Sequence, residues 1–166
     1  KDDQVLIKVH ATGLNKADWF MLTGRPLMLR AESGLFRPKR PIIGSDIAGV
    51  VEAVGKNVTR FKVGDEVYGD MSEDGRGGLA EYIATPETVL GHKPSGLTFE
   101  QAAAVPMAAM TALQGLRDTG DIQAGQKVLI NGASGGIGTF AVQLAKSFGA
   151  EVTGVCSTRN LEMVRS

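Results

Sequence analysis

QKVLINGASGGIGTFAVQLAKSFGAEVTGVCSTR, from Gln126 to Arg159, is the stretch whose reading decides the fold. Lys127-Val-Leu-Ile130 is a short apolar run with β-branched residues, which predicts a buried strand. A glycine-dense turn follows, from Gly132 through Gly135 and Gly136 to Gly138. Ile137, Phe140, Ala141, Leu144, Ala145 and Phe148 then recur at helical spacing, the stripe of a helix packed on a sheet. Gly149 ends that helix, and Val152, Val155 and Cys156 lie in the next expected strand. The order is strand, glycine turn, helix, strand.

The turn carries chemistry. Where a helix begins, several amide N–H groups lack intrahelical partners and the backbone dipole is positive, which suits a diphosphate. Glycines let the backbone approach a phosphate closely and let the helix sit near the strand. Read as Ala133-x-Gly135-x-x-Gly138, the turn is the dinucleotide fingerprint with alanine in first place. Ser134, Gly135, Gly136, Ile137 and Gly138 are the expected cofactor-binding residues; a glycine turn without a ligand is the alternative.

The end of the second strand selects the cofactor. An Asp or Glu there would bind the ribose 2′-hydroxyl of NAD. This chain has Ser157, Thr158 and Arg159 instead: two hydroxyls and a guanidinium. Arg159 suits a 2′-phosphate, which it can hold through two charge-assisted hydrogen bonds. The expected cofactor is therefore NADPH, the alternative being that Arg159 is only a solvated loop residue.

Composition sets the outer bounds. The chain has 166 residues, enough for one domain or one and part of another. Its 18 basic and 18 acidic residues cancel, so nothing suggests nucleic acid or an anionic membrane surface. No apolar run approaches the roughly 18 residues of a transmembrane helix, and no signal peptide is evident. The single cysteine, Cys156, permits no intrachain disulfide and fits a reducing, cytoplasmic setting. Glycine, at 22 residues, has roughly twice its average share, which points to many tight turns.

Upstream of the opening stretch the chain reads as β structure. Gln4 to His10 alternates, with Val5, Ile7 and Val9 on one face, before an expected turn at Ala11 to Leu14. Asn15 to Leu22 reads as a short helix ending near Gly24, and residues 25–40 as a long irregular loop. Strands are expected at Ile47 to Val54 and at Leu79 to Ala84, and Phe61 to Gly69 reads as a turn and another strand. Many short strands with glycine turns argue for a small closed or partly closed β domain. Its boundary is placed at Lys93 to Leu97, giving domains 1–93 and 94–166. Thr98 and Gln101 can form a capping box, Pro106 must interrupt the helix that follows, and Met107, Met110, Leu113 and Leu116 read as core. Lys1 begins without a lead-in, and Ser166 falls inside an expected second helix, so a longer protein is expected at both ends.

The blocks VLIKVHATGLN (Val5 to Asn15), PIIGSDIAGVVEAVG (Pro41 to Gly55), FKVGDEVYG (Phe61 to Gly69), GGLAEYIATP (Gly77 to Pro86), AAAVPMAAMTALQGL (Ala102 to Leu116) and VLINGASGGIGTFAVQLAK (Val128 to Lys146) occur in fixed order. With these blocks the chain resembles the medium-chain dehydrogenase/reductase superfamily, in its zinc-independent quinone oxidoreductase-like branch. The resemblance implies a GroES-like, partly closed β domain followed by the beginning of a Rossmann dinucleotide-binding domain, with the active site in the cleft between them.

The resemblance also speaks to metal and catalysis. Zinc-dependent relatives place ligands where this chain has Asn15, Ser45 and Met107. With one cysteine and two histidines, His10 and His92, no zinc ligand set can be assembled, and no metal is expected. Hydrogen-bond donors must then polarise the substrate oxygen. By similarity Asn15 donates its side-chain amide to that oxygen; equally, Asn15 could only cap the following helix. Thr111 matches the family threonine beside the nicotinamide ring, with an ordinary mid-helix threonine as the alternative. Well-studied quinone reductases carry tyrosines where this chain has Phe20 and Pro26, so the phenolic donors are absent. Trp19 and Phe20 would instead form an apolar aromatic wall.

The expected activity is NADPH-dependent hydride transfer to an activated C=C or C=O acceptor such as a quinone, enone or aldehyde. The alternatives are a non-catalytic NADPH-binding protein and an enoyl-reductase module of a larger synthase. A short-chain dehydrogenase fits poorly, because neither Tyr68 nor Tyr82 is followed by lysine at the fourth position. The expected partners are a hydrophobic or conjugated carbonyl small molecule and, in the full-length protein, a second copy forming a homodimer.

Overall fold

Val5 and Ile7, on one face of the alternating N-terminal segment, are fully buried in strand β1 (Gln4–Gly13). The computed structural model describes residues 1–25, 27–28, 30, 34, 39, 41–72, 75 and 77–166. They form two compact units, Lys1–Met107 and Ala108–Ser166. In the first, β1 is followed by α1 (Lys16–Thr23), β2 (Asp46–Val54), β3 (Glu66–Asp70), β4 (Tyr82–Pro86), β5 (Leu90–His92) and α2 (Phe99–Ala103). The five strands make one antiparallel sheet in the order β4-β1-β2-β3-β5, which the described strands do not close into a barrel. Val5, Ile7, Ile47, Val51, Phe61, Val67, Met71 and Leu90 are its core.

Three details of this unit depart from the sequence pattern. The turn expected at Ala11 is absent: the register slips between Val9 and Ala11, and β1 continues as far as the pair Gly13–Asp46. A bulge absorbs the irregular residue and keeps the ladder paired. Gly13 is required there, since a Cβ would lie 2.3 Å from the Ala103 carbonyl oxygen of α2. The strand expected from Leu79 begins only at Tyr82, because the N–H groups of Gly77, Gly78 and Leu79 donate instead to the carbonyls of Gly44 and Ile43. Strand β5 was not expected at all; three residues are too few to show an alternation.

The expected capping box forms at α2, where Gln101 N–H donates to Thr98 Oγ1 at 3.2 Å and Thr98 N–H to Gln101 Oε1 at 2.9 Å. Pro106 then opens α3 (Pro106–Leu113), where its missing N–H costs nothing. A short π-helical stretch, Gln114–Thr119, follows. Ala108 and Ala112 are the buried residues of α3, whereas Met110 is 46% exposed, so the methionine stripe read as core is only partly so.

The second unit is built on β6 (Lys127–Asn131), α4 (Gly136–Ser147) and β7 (Glu151–Val155), followed by a 3-10 turn (Thr158–Asn160) and α5 (Leu161–Arg165). β6 and β7 pair in parallel from Lys127–Glu151 to Asn131–Val155, with α4 as the crossover: the beginning of a Rossmann domain. Ala112, Ile130, Ala133, Ala141 and Ala145 form the core, and its four alanines let helix and strand approach closely. On the opposite face of β6, Leu129 is 68% exposed. No helix among the described residues is long and apolar enough to cross a membrane.

Candidate active site and cofactor loop

In the first unit Asn15 is the N-cap of α1, with an extended backbone (φ −105°, ψ 161°). Its backbone N–H donates to Asp18 Oδ2 at 2.9 Å, and the Asp18 N–H donates to the Asn15 backbone carbonyl at 3.0 Å, which closes a reciprocal cap at the start of α1. The side-chain amide reaches elsewhere. Asn15 Nδ2 donates to Asp46 Oδ2 at 2.9 Å, and the backbone N–H of Met107 donates to Asp46 Oδ1 at 3.0 Å. Asp18, also buried, accepts at Oδ1 from Ser45 Oγ at 3.2 Å and from Gly44 N–H at 3.3 Å. The three positions that resemblance matched to zinc ligands, Asn15, Ser45 and Met107, thus converge on two carboxylates. No group of three His, Cys, Asp or Glu side chains among the described residues could hold a metal ion.

Asp46 is 1% exposed, and burial pushes its carboxyl up from the ordinary 3.8 to about 6. The bonds from Asn15 and Met107 oppose that rise, while Asp70 and Asp18 add to it by repulsion. A proton binds Asp46 more tightly in the folded chain than in the unfolded one. The stability this gives is complete below a pH of about 4 and is lost as pH rises through about 6. The carboxyls of Asp65, Glu87, Glu100 and Asp118 are held below their usual values, so their contributions are lost only at more acid pH. Urea unfolding should therefore show stability falling as pH rises from about 4 to about 6, by about 2–3 kcal/mol. The slope should vanish in Asp46→Asn; a flat wild-type profile would contradict the assignment.

Trp19 and Phe20 lie beside this cluster in sequence, with ring centroids 5.3 Å apart. Trp19 is 45% exposed, and Lys16 Nζ stands 3.9 Å above its ring. Pro26, the other residue at a family tyrosine position, lies outside the described residues.

In the second unit the glycine loop joins β6 to α4. Gly132 has φ +79°, and both its N–H and that of Ala133 donate to the Val155 carbonyl at 2.9 Å, tying the loop to the end of β7. Gly135 N–H is spent on the Gly132 carbonyl. The bond from Thr139 N–H to Gly135 C=O, at 2.9 Å, follows the amides of Gly136, Ile137 and Gly138, the first-turn donors that an anion would meet. Gly138 is sterically required, because a Cβ there would lie 2.1 Å from the Gly132 oxygen. Gly136 is not, since its Cβ would meet nothing within 4 Å. A glycine that the chain's own packing does not demand, at an exposed helix start, fits a close-approaching diphosphate.

Ser157, Thr158 and Arg159 are exposed just beyond β7, and Arg159 has no ion-pair partner among the described residues. Asn160 Nδ2 donates to Ser134 Oγ at 3.0 Å, which brings the glycine loop and the Ser157–Arg159 turn together at the carboxyl ends of the two parallel strands. Thr111 is exposed on α3, next to Ala112, which belongs to the same core cluster as Ala133.

Sequence reasoning missed Asp18, Asp46 and Asn160. An aspartate inside the apolar run Ile42 to Val51 was the available signal for Asp46, and the Asn15-x-x-Asp18 spacing was the signal for Asp18. Asn160 gave none, because its partner is 26 residues away.

Residues 1–113 match the alcohol dehydrogenase GroES-like domain family. The chain is 42% identical, over its full length, to 2-methylene-furan-3-one reductase of Solanum lycopersicum, covering 43% of that protein. It is 40% identical over 95% of its length to the quinone oxidoreductase of Homo sapiens, covering 45% of that protein. Among solved structures, the quinone oxidoreductase of Escherichia coli complexed with NADPH matches 99% of this chain and 48% of its own, at 27% identity and a TM-score of 0.82. The chain spans about half the length of the curated relatives it matches. The matched domain, the β6-α4-β7 unit and these relatives agree: the chain belongs to the medium-chain dehydrogenase/reductase superfamily, in its quinone oxidoreductase-like branch.

Proposed function

We propose that this chain forms part of a zinc-independent, NADPH-dependent oxidoreductase that reduces an activated C=C or C=O bond in a hydrophobic, conjugated carbonyl substrate. The observation that carries this proposal is the start of α4, exposed at Gly136 and Ile137 and joined through Asn160 and Ser134 to a basic turn that lacks a carboxylate at the NAD-selecting position. The amides of Gly136, Ile137 and Gly138 would hold the diphosphate, while Ser157, Thr158 and Arg159 would hold the 2′-phosphate. When bound, the reduced nicotinamide supplies the hydride. Thr111 would fix the orientation of its ring.

Asn15 would act on the substrate. One hydrogen of Nδ2 is taken by Asp46, and the second is a donor for the acceptor oxygen, whose negative charge grows during reduction. Capping and donation are compatible, because they use different atoms of the same residue. Trp19 and Phe20 would supply an apolar wall for a flat acceptor. The setting is cytoplasmic, where a single cysteine needs no disulfide partner.

Steady-state oxidation of NADPH by the full-length protein, over a panel of quinones, enones and aldehydes, tests the activity. Asn15→Ala should lower kcat by roughly 100-fold, the cost of one preorganised donor, with NADPH affinity kept. Full activity in Asn15→Ala would remove it from catalysis. Tight NADPH binding without turnover of any acceptor would favour a non-catalytic binding protein.

A further inference from the structure

We propose that Asp46 is the positioning residue for the Asn15 amide, turning it so that an N–H, and not its carbonyl oxygen, is offered to the substrate. This rests on the assignment of Asn15 as a donor. An asparagine amide is nearly symmetric in shape, with an oxygen and an NH2 that exchange places when the group flips. Only its nitrogen can donate to an ionised carboxylate, so the 2.9 Å bond from Nδ2 to Asp46 Oδ2 selects one of the two orientations.

Asp46 can impose that choice because it is itself fixed. Its other oxygen is held by the Met107 N–H at 3.0 Å, near the start of α3, and its residue is clamped in β2 between Gly13 of β1 and Asp70 of β3. Thr12 Oγ1 donates to its backbone carbonyl at 2.7 Å. The titratable groups facing it are Asp70 of β3 and Asp18 of α1; β1 opposes it with a glycine and α3 with a backbone amide. All of these neighbours belong to the first unit, and among the described residues none supplies a cation to the carboxylate. The buried anion is instead satisfied by two N–H donors, one of them the Asn15 amide. Retaining a charge there, where a neutral side chain would avoid the desolvation cost, is understandable if the charge determines the orientation of its partner.

Nuclear magnetic resonance of the Asn15 side-chain NH2 gives a readout independent of turnover. In the wild type its two proton shifts should be well separated and should move together with the ionisation of Asp46, near a pH of about 6. In Asp46→Asn that transition should disappear. Kinetically, in the full-length enzyme, Asp46→Asn should lower kcat on the order of 10- to 100-fold with NADPH affinity unchanged. The double variant with Asn15→Ala should be no slower than the slower single variant, because the two act as a unit. Asp46→Glu, which keeps the anion, should recover part of the loss.

Wild-type kcat in Asp46→Asn, or Asn15 resonances that ignore the titration, would overturn the proposal. The titration decides even if Asp46→Asn fails to fold, since it is recorded on the wild type. If Asn15→Ala proved fully active while the resonances still titrated with Asp46, the donor assignment would fail and the coupling between the two residues would stand.

Discussion

Gly138→Ala is expected to destabilise the second unit severely and to abolish NADPH binding, whereas Gly136→Ala, two residues away, should leave stability intact and weaken binding alone. A methyl group on Gly138 would stand 2.1 Å from the Gly132 carbonyl oxygen and 2.8 Å from Ala133 Cα. Both neighbours are backbone, so neither can swing aside as a side-chain end would. The loop is also tied down: Gly132 and Ala133 both donate to Val155, and Gly135 donates back to Gly132. Relief requires lifting α4 away from the loop, which would open the Ala133–Ala141–Ala145 contact. A cost of about 3 kcal/mol or more follows from such overpacking. In a unit this small it should lower Tm by about 10 °C or more.

At Gly136 the same methyl would meet nothing within 4 Å, and alanine is the better helix former. Its thermal midpoint should stay at the wild-type value or rise. Binding is another matter, because the added carbon would occupy the space through which a diphosphate approaches the first-turn amides. Calorimetric titration with NADPH should show at least about a 10-fold weaker Kd, the equivalent of about 1.4 kcal/mol. Wild-type affinity in Gly136→Ala would move the diphosphate away from this turn. Wild-type stability in Gly138→Ala would mean that the loop relaxes more easily than its hydrogen bonds imply.

The same contrast explains how much could be read in advance. Periodicity and glycine punctuation located β6, α4 and β7 to within a residue or two, because their determinants are local: an apolar run, a stripe, and a residue that ends each element. The fingerprint glycines were legible as a set, but their separate reasons were not. Gly132 answers to its own φ, Gly138 to a carbonyl six residues back, and Gly136 to no atom of the described residues. The polar cluster was harder still. Asn15 could be named, but its partner Asp46 lies 31 residues on and reaches it only because β1 runs past its expected turn to pair Gly13 with Asp46. Pairings of that kind are made by the sheet register, and no window of sequence contains both members. Asp46 was therefore passed over, although it is the group on which the Asn15 and Met107 donors converge.

Arg159→Asp should reverse the cofactor preference, lowering NADPH affinity by roughly 100-fold or more while leaving NADH affinity within a few-fold of the wild type. Arg159 sits in the 3-10 turn Thr158–Asn160, exposed and with no acidic partner among the described residues. Its guanidinium is thus available to a ligand without first breaking an ion pair. The turn is not a loose loop, since Asn160 Nδ2 holds it to Ser134 Oγ at 3.0 Å. A phosphate seated against Ser157, Thr158 and Arg159 would therefore keep a fixed distance from the glycine loop, as the two ends of one nucleotide require. Replacing the cation by a carboxylate removes two charge-assisted bonds and sets a negative charge against the 2′-phosphate, yet provides an acceptor for a ribose 2′-hydroxyl. Fluorescence titration of both cofactors against wild type, Arg159→Ala and Arg159→Asp separates loss of attraction from added repulsion. Arg159→Ala should weaken NADPH binding only, and Arg159→Asp should weaken it further. If the ratio of the two affinities were unchanged in both variants, Arg159 would be a solvated residue, and recognition of the 2′-phosphate would have to rest on Ser157 and Thr158. If Arg159→Asp weakened NADPH and NADH alike, the substitution would have disturbed the turn, and the bond from Asn160 to Ser134 would be the contact to examine next.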